Sequence, residues 1–229
     1  MIVVETVTFG LAALPALLLV RCVLVSLRDA GALARTTAVA LSLVPGYMAF
    51  ALALCALSAW GTRLLGWRTP PPGEWKLRNM EWPVMAWCRY MASTHLVRVC
   101  VGTVFRSSPL WTWYLRWNGA RIGRAVYLSS TSISDQCMLD LGDGVVIGES
   151  VHLSGHTVEG GIVKTGRVRL GRFVTVGLGS VVGIDVEVGE GCQIGALSVV
   201  PKHSRLQGNA TYVGAPATRV DVSPATRLQ

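Results

Sequence analysis

Between Val168 and Leu206 the chain repeats itself every six residues. An aliphatic residue falls at Leu170, Val176, Val182, Val188, Ile194, Val200 and Leu206, and glycine follows at Gly171, Gly177, Gly183, Gly189 and Gly195. Two places before each aliphatic stands a small or β-branched residue: Val168, Val174, Ser180, Val186, Cys192, Ser198. Helices repeat near 3.6 residues and strands at two, so neither needs a period of six. A chain that turns a triangular corner every six residues does. Self-similarity of this kind marks a solenoid, here a parallel β-helix of hexapeptides.

The pattern extends upstream through Ile122-Gly123, Leu128, Leu141-Gly142, Ile147-Gly148 and Leu153. From Leu153 to Leu170 the spacing is 17, and the intervening Gly155–Gly166 (GHTVEGGIVKTG) does not fit. That stretch reads as a loop leaving the solenoid. About four coils of 18 residues result, with aliphatic side chains filling a triangular core.

A different regime precedes the repeats. Thr36 to Trp60 is free of charge, and Ile2 to Leu27 carries only Glu5 and Arg21. Each is long enough to cross a hydrocarbon core of roughly 30 Å. The first span lacks the basic leader and small-residue cleavage site of a signal peptide, so two membrane helices are expected. Their short connection, Arg28 to Arg35, makes them an antiparallel hairpin, with Pro15 and Pro45 at similar depth. Arg63, Arg68, Lys76, Arg78 and Arg89 follow the second span. The positive-inside rule then places the repeat domain on the cytoplasmic side of an integral membrane protein.

All eight tryptophans lie between residues 60 and 117. Indole favours the membrane interface, so Pro83–Phe105 and Pro109–Trp117 are expected as helices, the first lying in that interface. The domain plan is a transmembrane helical hairpin (1–66), a Trp-rich interfacial helical linker (67–118), the β-helix (119–220) and a C-terminal tail (221–229). The net charge of +8 comes mostly from scattered arginines. Nothing resembles a nucleic-acid module, and membrane lipid is the expected acidic neighbour. The six cysteines show no CxxC spacing and read as small buried hydrophobes, neither disulfides nor metal ligands.

The [LIV]-G-x4 repeats, the entry Gly119-Ala120-Arg121-Ile122-Gly123 and the ending Gly214-Ala215-Pro216-Ala217 resemble the hexapeptide-repeat acyltransferases. The resemblance covers roughly residues 119–220. It implies a left-handed β-helix, commonly a homotrimer, that moves an acyl group from coenzyme A or an acyl carrier protein to a hydroxyl or amine. The order of parts, with SPLWTWYLRWNGARIG, SISDQCMLDLGDG and HTVEGGIVKTGRVRLG, is similar to the C-terminal membrane region of nonribosomal peptide synthetases of the ε-poly-lysine type. That likeness implies an aminoacyl carrier protein as donor and such a synthetase as partner. No tightly bound cofactor is implied.

Acyl transfer needs a base to take the acceptor's proton. Of the four histidines, His95 belongs to the interfacial segment, His203 to the polar C-terminal turn and His152 to a regular coil. His156 stands where the solenoid is broken, the better placement for catalysis. Glu159 or Asp135 is expected to orient its ring. His152, His156 and Glu159 have metal-like spacing only on a helix, and the segment is not helical. The resemblance implies donor contacts at Gly177, Gly179, Ser180, Gly195, Ala196 and Ser198, with Lys202 and Arg205 meeting phosphates. A non-catalytic trimerising scaffold is the rival reading.

Overall fold

The computed structural model describes residues 2–66, 68–69, 71–79 and 82–220. Trp67 and the tail 221–229 lie outside them. The described residues form two compact units, one of those within 2–66 and 86–101, the other of those within 68–85 and 102–220.

In the first unit, α1 (Ile2–Ser26) and α2 (Ala32–Leu64) are continuous helices of 25 and 33 residues, running through Pro15 and Pro45. Both are long and apolar enough to cross a membrane. They pack antiparallel. The Phe9 and Phe50 rings meet edge to face at 5.2 Å, and a Cβ on Gly46 would lie 3.8 Å from that of Ala16. The two prolines therefore do share a level. The second unit opens with a short strand, β1 (Gly73–Lys76). α3 (Trp82–Val97) follows and continues through a wider π turn, Arg98–Gly102. From Ala86 to Val101 it belongs to the first unit and packs along α2: Ser93 Oγ donates to Ser58 Oγ at 2.9 Å, and Tyr47 Oη to the Cys100 carbonyl at 2.9 Å.

α4 (Pro109–Trp117) starts on a Ser108 cap with proline in its first turn. Trp111, Tyr114 and Leu115 are buried, and Trp111 Nε1 donates to the Ser130 carbonyl at 3.2 Å. This corrects the interfacial assignment of Trp111: it is a core aromatic whose one polar group is satisfied by the repeat domain. Trp60 and Trp113 are exposed. Arg116 donates to the carbonyls of Ile122 (3.0 Å) and Gly123 (2.7 Å), so α4 covers the open edge of the first coil.

The β-helix then runs β2 (Arg121–Ile122), β3 (Tyr127–Leu128), β4 (Leu139–Leu141), β5 (Val146–Ile147) and β6 (His152–Leu153). β7 (His156–Glu159) and β8 (Ile162–Thr165) leave the coil, and β9 (Val168–Leu170) resumes it. β10 (Thr175–Val176), β11 (Val181–Val182), β12 (Val186–Val188), β13 (Gln193–Ile194), β14 (Val199–Val200) and β15 (Arg205–Leu206) continue at the six-residue spacing. β16 (Thr211–Val213) and β17 (Thr218–Val220) close the stack. Three faces result: β2-β4-β9-β12-β15, β3-β5-β10-β13-β16 and β6-β11-β14, all with parallel neighbours. β17 folds back antiparallel on β16 and blunts the last edge.

The core is the expected aliphatic column. Leu153, Val176, Val182, Ile147 and Val186 are wholly buried. The outward positions of the first face form a ladder of alternating charge: Arg121, Asp140, Arg169, Glu187 and Arg205 stand on neighbouring strands. Cys55, Cys137 and Cys192 are buried, whereas Cys22 is exposed and Cys88 and Cys100 are half-covered. Six buried cysteines were too many: on a helix whose outer surface is apolar, sequence hydrophobicity does not reveal which side is covered. Burial pushes the Cys192 thiol up to about 11, so on the order of one molecule in a thousand is thiolate at pH 8. Iodoacetamide at pH 8 is expected to leave Cys192 unmodified in the native protein and to label it after denaturation, as peptide mass mapping would show.

Candidate active site

The expected loop is a β-hairpin. β7 and β8 pair antiparallel from His156↔Thr165 to Glu159↔Ile162. Gly160 and Gly161, with φ of 56° and 76°, make the tight turn. The linker strand β1 adds to the other edge of β8, Gly73↔Thr165 through Lys76↔Ile162, and Leu77 N donates to the Gly161 carbonyl at 2.9 Å. A three-stranded antiparallel sheet thus stands out from the corner between the third and first faces.

One coil earlier, the same corner holds a 3₁₀ turn, Gln136–Met138. Asp135 precedes it in the left-handed region at φ 52°. That places its carboxylate under the hairpin stem, where His156 Nδ1 donates to Asp135 Oδ2. Asp135 is 2% exposed and His156 21%. Because a carboxylate can only accept, the proton sits on Nδ1 and the basic lone pair on Nε2. Gly155 makes the approach possible: a Cβ there would stand 2.7 Å from the Asp135 Cβ and 2.9 Å from that of Met138. Gly166 N, donating to the Gly155 carbonyl at 2.9 Å, closes the stem. The Ser154 hydroxyl donates to the His156 carbonyl at 2.6 Å.

Glu159 is placed elsewhere. Three residues along a strand it lies on the opposite face from His156. Lys202 Nζ donates to its two oxygens at 2.5 and 2.7 Å. That hydrogen bond holds the Glu159 carboxyl below its ordinary value. The tie is complete above the unfolded carboxylate pKa of about 4.3 and is lost as pH falls through the lowered folded value.

The donor residues inferred from the family divide between two corners. Gly177, Gly179, Ser180, Gly195, Ala196 and Ser198 occupy the corner between the second and third faces. Ser180 and Ser198 face the interior at 0% exposure, with Ser180 Oγ donating to the Gly195 carbonyl at 2.8 Å. Their hydroxyls are thus spent inside the solenoid. A Cβ on Gly177 would stand 2.5 Å from Ala196 N, so that glycine is required by coil stacking. Lys202 sits at the hairpin's own corner, and Arg205, on β15 just beyond it, pairs with Asp185 at 3.0 Å and Glu187 at 3.4 Å. The third face lies between the two corners, and its Val181 and Val199, with Leu178 and Leu197 beside them, are exposed.

A second histidine–carboxylate pair repeats two coils on: His203 Nδ1 lies 2.9 Å from Asp185 Oδ2. Its imidazole is 60% exposed, and the carboxylate, shared with Arg205, is held low by His203 first and Arg205 next. His95 is exposed beside Arg98, and His152 stands on β6 beside Val181. Among the described residues no group of three His, Cys, Asp or Glu side chains is arranged to hold a metal ion. Sequence reasoning missed β1 and assigned Trp75 to the interfacial belt. The available signal was Gly-Gly between two four-residue alternating runs, which marks a hairpin with an edge to fill.

No family model matches the chain. It is 28% identical over 112 residues to delta-poly-L-ornithine synthetase of Acinetobacter baumannii, a match covering 49% of this chain and 8% of that protein. A hexapeptide-repeat-containing acetyltransferase from Vibrio cholerae superposes with a TM-score of 0.48 at 13% identity, over 62% of this chain and 93% of that one. Galactoside acetyltransferase in complex with coenzyme A gives 0.39 at 21% identity, over 48% and 68%. The structural neighbours are hexapeptide-repeat acyltransferases. The chain thus spans a small part of the curated relative and most of the first of these two structures.

Proposed function

We propose that this chain is a membrane-anchored acyltransferase that moves an acyl or aminoacyl group from a thioester to an amine or hydroxyl. The observation that carries this reading is the His156–Asp135 pair, held on a hairpin that the β-helix does not need for its own continuity. In this mechanism Nε2 of His156 takes the proton of the acceptor's N–H or O–H as that atom attacks the thioester carbonyl. The C–S bond of the tetrahedral intermediate then breaks, and the departing thiolate takes the proton back from the imidazolium. Products are the amide or ester and a free thiol, so atoms and charge balance. Asp135 holds the ring and supports its transient charge. Asp135→Asn, which keeps the size but loses the charge, is expected to lower turnover at least tenfold at unchanged donor KM.

The donor's flexible arm is placed along the outer side of the third face, over Val181 and Val199, between the two corners that hold the family-inferred residues. α1 and α2 anchor the enzyme, with the β-helix, left-handed and trimeric as the family resemblance implies, on the cytoplasmic side. The match to a poly-ornithine synthetase favours a second form of the reading, in which an aminoacyl carrier protein is the donor and a nonribosomal peptide synthetase the partner. Purified protein offered acyl-coenzyme A and aminoacyl carrier protein in parallel tests both. Thiol release from one donor, dependent on an added amine or alcohol, supports the corresponding form. Release from neither overturns the enzyme assignment in favour of a scaffold.

A further inference from the structure

The three-stranded sheet has two unlike faces. Cross-strand partners share a face, so His156, Thr165 and Gly73 lie in one row and Val158, Val163 and Trp75 in the next. The Trp75 ring reaches back over Gly73: a Cβ there would lie 3.4 Å from Trp75 Cζ2. The opposite face carries an unbroken chain of charge. Glu74 lies 3.5 Å from Lys164, Lys164 3.8 Å from Glu159, and Glu159 2.5 Å from Lys202. These four residues come from three separate places: the linker strand, the hairpin and the fourth coil. The linker also passes the carboxylate side of the site, since a Cβ on Gly119 would meet Thr69 Oγ1 at 3.5 Å and Cys137 at 3.2 Å.

We propose that linker residues 73–77 are a strap that positions His156, fastened by the backbone ladder to β8 and by the Glu74–Lys164–Glu159–Lys202 chain. Glu159 is then a positioning residue, acting on His156 through the hairpin that both occupy. This rests on His156 being the transfer base. A hairpin of two strands is marginal alone, and a third strand gives it a fixed direction. Exposed ion pairs are individually weak, but one pair anchors the free end of the hairpin to the rigid stack, where a small hold sets its angle. Leu77 N donating to Gly161 shows which strand positions point at β8. Trp75 shares that parity, so proline at 75 removes a ladder bond as well as the indole.

The test uses the full chain in detergent. Glu159→Lys is expected to speed amide hydrogen exchange of residues 157–164 at least tenfold, while residues 175–200 keep their protection. It is also expected to shift the His156 imidazole titration, followed by NMR of isotopically labelled histidine. The reciprocal Glu159→Lys/Lys202→Glu pair should restore both in part, because it remakes the tie to the stack but leaves like charge beside Lys164, and Trp75→Pro should reproduce the loosening where Trp75→Phe does not. Unchanged hairpin exchange and an unmoved His156 titration in Glu159→Lys and Trp75→Pro would overturn the strap. So would failure of the reciprocal pair to restore either signal. Because neither readout uses turnover, they separate this inference from the base assignment, which stands or falls on His156→Ala.

Discussion

Replacing His156 by alanine is expected to lower the proposed acyl transfer at least a hundredfold and to leave the repeat domain folded. A positioned general base is worth roughly 10²–10⁴ in rate, or about 2.7–5.5 kcal/mol of barrier. The loss should appear in kcat, because on the proposed reading the imidazole acts as the proton moves. Stability should hardly change. His156 lies on β7, whose partners are β8 and, through β8, β1, and no coil strand depends on it for pairing. Circular dichroism and thermal unfolding of the variant should therefore overlay the parent, and thiol release from the productive donor should fall to the Asp135→Asn level or below. Near-normal turnover in a folded variant would sink the assignment, and His203 with Asp185 would become the pair to test next.

Gly177→Ala is expected to be among the most damaging single methyl additions to the coil stack. The added carbon would lie 2.5 Å from Ala196 N and 2.8 Å from Ala196 Cα, backbone atoms that the whole next coil holds in place. Overpacking in tightly filled interiors costs about 1–3 kcal/mol and sometimes more. A clash with backbone belongs at the upper end, so the unfolding midpoint of the repeat domain should fall by about 10 °C or more. Leu178→Ala next to it removes a largely exposed side chain and should change stability by less than about 0.5 kcal/mol. The comparison also decides what Gly177 is for. A variant that keeps its midpoint but loses donor affinity would return Gly177 to the ligand groove and refute the stacking explanation.

The scaffold was legible because its signal is periodic and local. Each hexapeptide states its own geometry, and errors in one do not propagate. The geometry of the candidate site was legible only in part. His156 was conspicuous as a polar residue in a break, but its partner depended on a 3₁₀ turn in the preceding coil and on Asp135 adopting a left-handed backbone. Neither leaves a mark in a hydropathy pattern. Glu159 looked equivalent to Asp135 until strand alternation put it on the other side of the hairpin. β1 was the hardest element to foresee. Its four residues pair with a segment about ninety positions away, and a proline-led stretch of that length carries no periodicity. Trp111 was misjudged for a related reason: composition showed the cluster, whereas burial separates Trp111, which packs inside, from Trp60 and Trp113, which do not.

The register across the hairpin has one more implication. Asp140 pairs with Arg169, Val146 with Thr175 and His152 with Val181, each 29 residues on, whereas the later pairs Thr175↔Gln193 and Val181↔Val199 are 18 apart. All three faces absorb the same eleven-residue excess without a change of phase. The hairpin is therefore a parenthesis: remove it and the surrounding text still scans. Selection can rewrite what stands inside those brackets without shifting the register of a single coil.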